Sequence, residues 1–109
     1  MSSLSGIYCI ELDNGVPALD VQSEFSVPLT SAGNINTLLV YLADREDYEE
    51  KLRAGFRLTN MLKVRMLSLD TFELQFRGIE MCHVSYEDLY FVLTLAKKKY
   101  TELKNSADD

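Results

Sequence analysis

Gly78-Ile79-Glu80-Met81-Cys82-His83-Val84-Ser85-Tyr86-Glu87-Asp88 is the stretch that decides the fold, because a strand pattern hands over within it to a strongly specified helix start. Ser85 can accept a hydrogen bond from the Asp88 amide, and Asp88 can reach back to the Ser85 amide, a Ser-x-x-Asp variant of the capping box. Val84 and Leu89 occupy the two positions of a hydrophobic staple. From Leu89 to Lys104 the chain carries its longest helical pattern, so it closes by laying a helix on whatever precedes it.

That helix has two apolar faces. At about 100° per residue, Leu89, Val92, Leu93, Ala96, Tyr100 and Leu103 share one side, the expected core stripe. Phe91 and Leu95 fall on the opposite side, four residues apart and therefore adjacent. They are the candidate protein interface, to be covered by a second copy of the chain or another protein. The alternative is an internal cover, by a short helix or a loop of the same chain. Residues 1–104 are expected to form one domain, and Asn105 to Asp109 a disordered acidic tail.

Upstream, strand patterns dominate. Ile7 to Leu12 alternates with the period of a strand, and Asp13-Asn14-Gly15 follows as a strong hairpin signal. On the return strand Leu19, Val21, Phe25, Val27 and Leu29 share one face, and Asp20, Gln22, Glu24 and Ser26 the other. Pro17 and Pro28 cannot donate to a ladder, which puts the strand's ends at an edge or a bulge. Thr30 to Asn34 is a turn by composition, and Leu38-Leu39-Val40-Tyr41-Leu42 a short apolar run expected to be a buried strand. Asp44 is expected to cap a short helix through Ala54, thinly attached through Tyr48 and Leu52, with Asp47–Lys51 and Glu49–Arg53 pairs and a stop at Gly55. Leu62, Val64 and Met66, then Phe72, Leu74 and Phe76 after a turn near Asp70, mark two half-buried antiparallel strands.

Composition narrows the function. With 109 residues, 47% of them apolar and 26% charged, the chain has the makings of one globular domain. The net charge of −6 argues against a nucleic-acid binder, which needs a basic surface for phosphates. Lys97-Lys98-Lys99 is the one cationic cluster and suits the negative pole of the closing helix. The run from Asp44 to Glu50 is mixed in sign and reads as a solvated face. No apolar run approaches the roughly 20 residues of a membrane span, and Met1 to Ser5 does not start a signal peptide, so a cytoplasmic location is expected. Cys9 and Cys82 then read as small apolar residues, not as a disulfide.

Little supports catalysis or a cofactor. His83 is the single histidine, and as strand neighbours Cys82 and His83 point to opposite faces, so they do not share a metal. No phosphate-cradling glycine loop and no nucleophile elbow occurs. The expectation is a protein that is not an enzyme and holds no cofactor or metal.

The order strand, turn, strand, Ser-Ala-Gly turn, further strands, then Gly78-Ile79-x-Met81 leading to Val84-Ser85-x-x-Asp88 and a closing helix resembles a PilZ domain, a bacterial module that in many members binds cyclic di-GMP. The resemblance implies a mainly β, α+β fold: a six-stranded antiparallel barrel or strongly curved sheet with a C-terminal helix, here with one short extra helix. The family's ligand motifs are degenerate. Its Arg-x-x-x-Arg ahead of the first strand is missing, since the first arginine is Arg45. In Leu29-Thr30-Ser31-Ala32-Gly33-Asn34, Ser31 and Gly33 remain of the second motif, while Leu29 replaces its acid or amide and Asn34 its last glycine. Cyclic di-GMP is therefore not an expected ligand. The expectation is a non-catalytic regulatory or protein-interaction module with a protein partner or a homo-oligomeric state, and neither nucleic acid nor membrane insertion. The alternative is a small acidic inhibitor, immunity protein or secretion-type chaperone, with an enzyme third.

Overall fold

A computed structural model describes residues 7–21, 25–77 and 79–107. The chain order is β1 (Ile7–Glu11), β2 (Pro17–Val21), β3 (Phe25–Pro28), α1 (Ala32–Ala43), α2 (Glu49–Ala54), β4 (Phe56–Arg57), β5 (Leu62–Met66), β6 (Thr71–Phe76), β7 (Ile79–Ser85) and α3 (Tyr86–Ala107). The strands form two antiparallel sheets, one in the order β1-β2-β3 and one in the order β4-β5-β6-β7. The fold is α+β, but the expected barrel is not formed. Among the described residues no strand of one sheet pairs with a strand of the other, and α1 and α2 lie between β3 and β4 in the chain.

The first sheet follows from its turn chemistry. Gly15 donates to the Leu12 carbonyl at 2.8 Å, Leu12 to Val16 at 2.9 Å, and the Val16 amide to Asn14 Oδ1 at 3.0 Å. Only Gly15 adopts a positive φ there, +87°, so this is a three-residue hairpin loop with glycine at the left-handed position, not a two-residue Asn-Gly turn. A Cβ on Gly15 would lie 2.8 Å from a Leu103 methyl, which ties the loop to α3. The long return strand is in fact two, β2 and β3, paired with Val21 opposite Phe25. Its inward face survives the division: Leu19, Val21, Val27 and Leu29 are buried. The outward positions assigned to Gln22 and Glu24 lie outside the described residues.

The largest correction concerns Leu38 to Leu42. They belong to α1 and not to a strand, and Ser31 is its N-cap, accepting from the Asn34 amide at 3.1 Å. Buried Ile35, Leu38, Leu39 and Leu42 show the helical spacing of three, one and three. A five-residue apolar window is too short to reveal that period, whereas the cap and Ile35 extend it. The second correction follows from the first: Asp44 is the C-cap of α1, and α2 begins only at Glu49. The Glu49–Arg53 pair forms at 2.7 Å, while the Lys51 ammonium lies 5.9 Å from the centre of the Tyr41 ring. Attachment of α2 is firmer than expected. Leu52 is fully buried, and Tyr48 stacks on Tyr41, which meets Phe56 edge-on.

In the second sheet, Leu62, Val64, Met66, Phe72, Leu74 and Val84 point into a single core with the inward residues of the first sheet and the buried faces of α1 and α3. β7 carries a register shift against Leu74 and Gln75, so that Cys82 opposes Leu74 but Glu80 opposes Gln75. The shift keeps the charged position of β7 in register with a polar partner.

Candidate functional site

The outer face of α3 is built by everything that fixes the rotation of that helix. Ser85 Oγ accepts from the Asp88 amide at 3.1 Å, so the expected cap is present. The Tyr86 amide donates to the Asp70 carbonyl at 2.8 Å, and the Arg45 guanidinium lies 3.7 Å from the centre of the Tyr86 ring. Arg45 Nε also donates to the Leu69 carbonyl at 2.7 Å, and Arg53 Nη1 to that of Leu67 at 3.0 Å. These two arginines tie the β5–β6 connection to the helical layer. Arg45 thus joins the end of α1 to the start of α3.

Along α3, Leu89, Val92, Leu93 and Ala96 are buried and Tyr100 and Leu103 half-buried, as the stripe requires. The Tyr100 hydroxyl donates to the Leu29 carbonyl, and Lys99 reaches Glu11 on β1 at 3.1 Å. That carboxylate holds the Lys99 ammonium protonated beyond its ordinary range. With the helix pinned on both flanks, Phe91 is left 62% exposed, the second most exposed of the large apolar side chains described after Ile79 at 66%. Leu95 is half-buried beside it. Among the described residues no element folds over Phe91. The helix continues through Ala107 and so takes in Asn105 to Ala107 of the segment assigned to the tail; Asp108 and Asp109 lie outside the described residues.

Ser31, Gly33 and Asn34 are brought together, but as the first turn of α1. Ser31 Oγ is occupied by the cap, and Asn34 Nδ2 donates to the Leu58 carbonyl at 3.2 Å. Gly33 takes no positive φ. These side chains brace α1 against the segment that precedes β5.

One polar group escaped the reading of the sequence. Glu73 on β6 has a side chain only 5% exposed, accepting from Arg65 Nε at 3.0 Å and from Gln75 Nε2 at 2.6 Å. Arg65, Glu73 and His83 are register partners across β5, β6 and β7. Counting outward from the turn near Asp70 pairs Arg65 with Glu73, so the signal was available once the hairpin was placed. His83 is exposed, and Cys82 is half-buried on the other face, as alternation requires. Burial raises the pKa of both Cys9 and Cys82, with Lys99 partly opposing the shift at Cys9, so both stay as thiols near neutral pH. They are free cysteines. Among the described residues no three His, Cys, Asp or Glu side chains converge as a metal site, and no helix is long and apolar enough to cross a membrane.

An open groove of about 390 Å³ runs between α1 and α3, lined by Ala32, Asn36, Lys97, Tyr100 and Thr101. Among the described residues its lining presents one ammonium and several neutral polar groups, with no carboxylate or imidazole to act as a base. No protein-family model, no curated protein and no solved structure matches this chain.

Proposed function

We propose that this chain is a non-catalytic, cytoplasmic regulatory module that works by binding protein through the outer face of α3. The observation that carries the reading is the 62% exposure of Phe91 next to Leu95, on a helix whose rotation is fixed by its core stripe, its cap and its flanking contacts. Burying an exposed aromatic or aliphatic side chain is worth about 1.5–3 kcal/mol, and aromatic residues are over-represented among those that dominate interfaces. Neither Phe91 nor Leu95 serves a polar reaction, which is why their role is contact.

Replacing Phe91 by Glu tests this. The variant should keep its melting temperature within a few degrees, since the side chain contributes little to the core, and should lose most of its association with whatever the wild type captures from its native host. A variant that folds and associates like the wild type removes the surface; one that melts much earlier shows Phe91 to be part of the internal packing.

A second reading rests on charge. The net charge is −6, and Asp44, Glu46, Asp47 and Glu50 are exposed together around the α1–α2 connection. A small acidic inhibitor, immunity protein or secretion-type chaperone would turn that surface toward a basic partner. Capture that weakens steeply with salt favours it, whereas apolar capture through α3 is insensitive to salt.

A further inference from the structure

We infer that the occupant of the α3 face is a second copy of this chain, packed with its own α3 antiparallel to the first. The inference rests on the reading of α3 as an interaction surface and names what covers it. At about 100° per residue, Glu87, Phe91, Leu95, Lys98 and Glu102 fall within an arc of about 80° on the side away from the core stripe. Glu87 and Lys98 are exposed, and neither makes an ion pair among the described residues. The face therefore runs acidic, aromatic, aliphatic, basic along the helix axis, with an apolar centre flanked by opposite charges and a further exposed acid, Glu102, one turn beyond Lys98.

Such a pattern is self-complementary under a two-fold axis. In an isologous contact residue i meets j while j meets i, so a two-fold axis near Leu93 sets Phe91 of each copy against Leu95 of the other. The same operation places Glu87 opposite Lys98: the midpoints of the two pairs differ by half a residue, about 0.75 Å at a rise of 1.5 Å per residue. Each copy then contributes both halves of two interhelical ion pairs flanking one apolar centre. Charge also excludes the competing arrangements. A parallel pair would stack Glu87 on Glu87 and Lys98 on Lys98, and sliding the antiparallel pair until Phe91 meets Lys98 brings Glu87 to Glu102. Glu102 also lies on this face, but in this register it falls opposite position 84, beyond the start of the partner α3, so within the overlap Glu87 and Lys98 balance although the chain as a whole is acidic.

Sedimentation equilibrium of the full chain, from about 10 μM to about 1 mM, spans the affinities a single helix face can supply. The wild type should show a monomer–dimer equilibrium in that range. Glu87→Lys alone and Lys98→Glu alone should each weaken it about tenfold, since either turns two symmetry-related attractions into repulsions, and the double variant E87K/K98E should recover wild-type dimerisation. Melting curves recorded with each variant separate lost association from lost folding, because Glu87→Lys also opposes the helix dipole. A wild type that stays monomeric throughout overturns the second copy as occupant. A dimer indifferent to both single changes, or not restored by the double one, overturns the antiparallel register. If the wild type is monomeric yet Phe91→Glu still loses a captured partner, the broader reading of α3 survives with a different occupant; if Phe91→Glu changes neither, both fall.

Discussion

At the scale of single residues, the polar groups most important to this fold are those that settle backbone donors and acceptors at element ends. Ser85 satisfies an amide at the start of α3 that has no partner within the helix, and Ser31 does the same for α1. Replacing Ser85 by Ala should cost about 0.5–2 kcal/mol, which for a domain of this size lowers the melting temperature by several degrees. A denaturant series would show the midpoint falling with an unchanged slope. Loss of a biochemical property without that shift would mean that Ser85 contributes more than a cap. Glu73 illustrates the opposite case: the hairpin register pairs it with Arg65, but that pairing does not by itself say that the carboxylate is buried among donors from Arg65 and Gln75.

At the scale of elements, α1 decides more than any other. It stands where a strand was expected, between the strands of the two sheets in the chain, and gives α3 a helical neighbour. It also consumes the residues that a nucleotide loop would need. Ser31 and Asn34 spend their side chains on the cap and on Leu58, and the first arginine, Arg45, is held by the Leu69 carbonyl and the Tyr86 ring. Cyclic di-GMP should therefore show no binding by titration calorimetry, since two missing charge-assisted contacts at about 1.5–3 kcal/mol each weaken binding by orders of magnitude. A micromolar or tighter dissociation constant would contradict this account of α1.

At the scale of the whole molecule, one core joins both sheets to the helical layer. Leu19 of the first sheet and Leu74 of the second are both fully buried and belong to the same cluster. Truncating either to Ala should cost about 2–5 kcal/mol, a large share of the about 5–15 kcal/mol typical of a domain. Because the core is shared, each variant should unfold in a single transition, with the helical and tyrosine signals lost together. Two separated transitions in Leu19→Ala would show that the first sheet is a unit of its own.

The sequence by itself determined the elements whose evidence is local. Ser85 with Asp88 starts α3, the core stripe from Leu89 to Ala96 sets its inward face, Asn14 and Gly15 close the first hairpin, and alternation defines β5 and β6. Each of these rests on neighbours a few residues apart, whose geometry short-range sterics and hydrogen bonding already fix. Only the tertiary structure decided the rest. Leu38 to Leu42 by themselves suit a buried strand or a buried helix equally well; the Ser31 cap and Ile35 extend the helical period beyond them, and the structure buries that face with α1 packed against α3. The division of the return strand, the partition into two sheets and the burial of Glu73 likewise depend on contacts between distant segments. Phe91 lies between the two cases. Its position on the outer side of α3 is local geometry, but its exposure follows from no other element reaching that side among the described residues, and a helical period carries no information about which of its faces the remaining chain will cover.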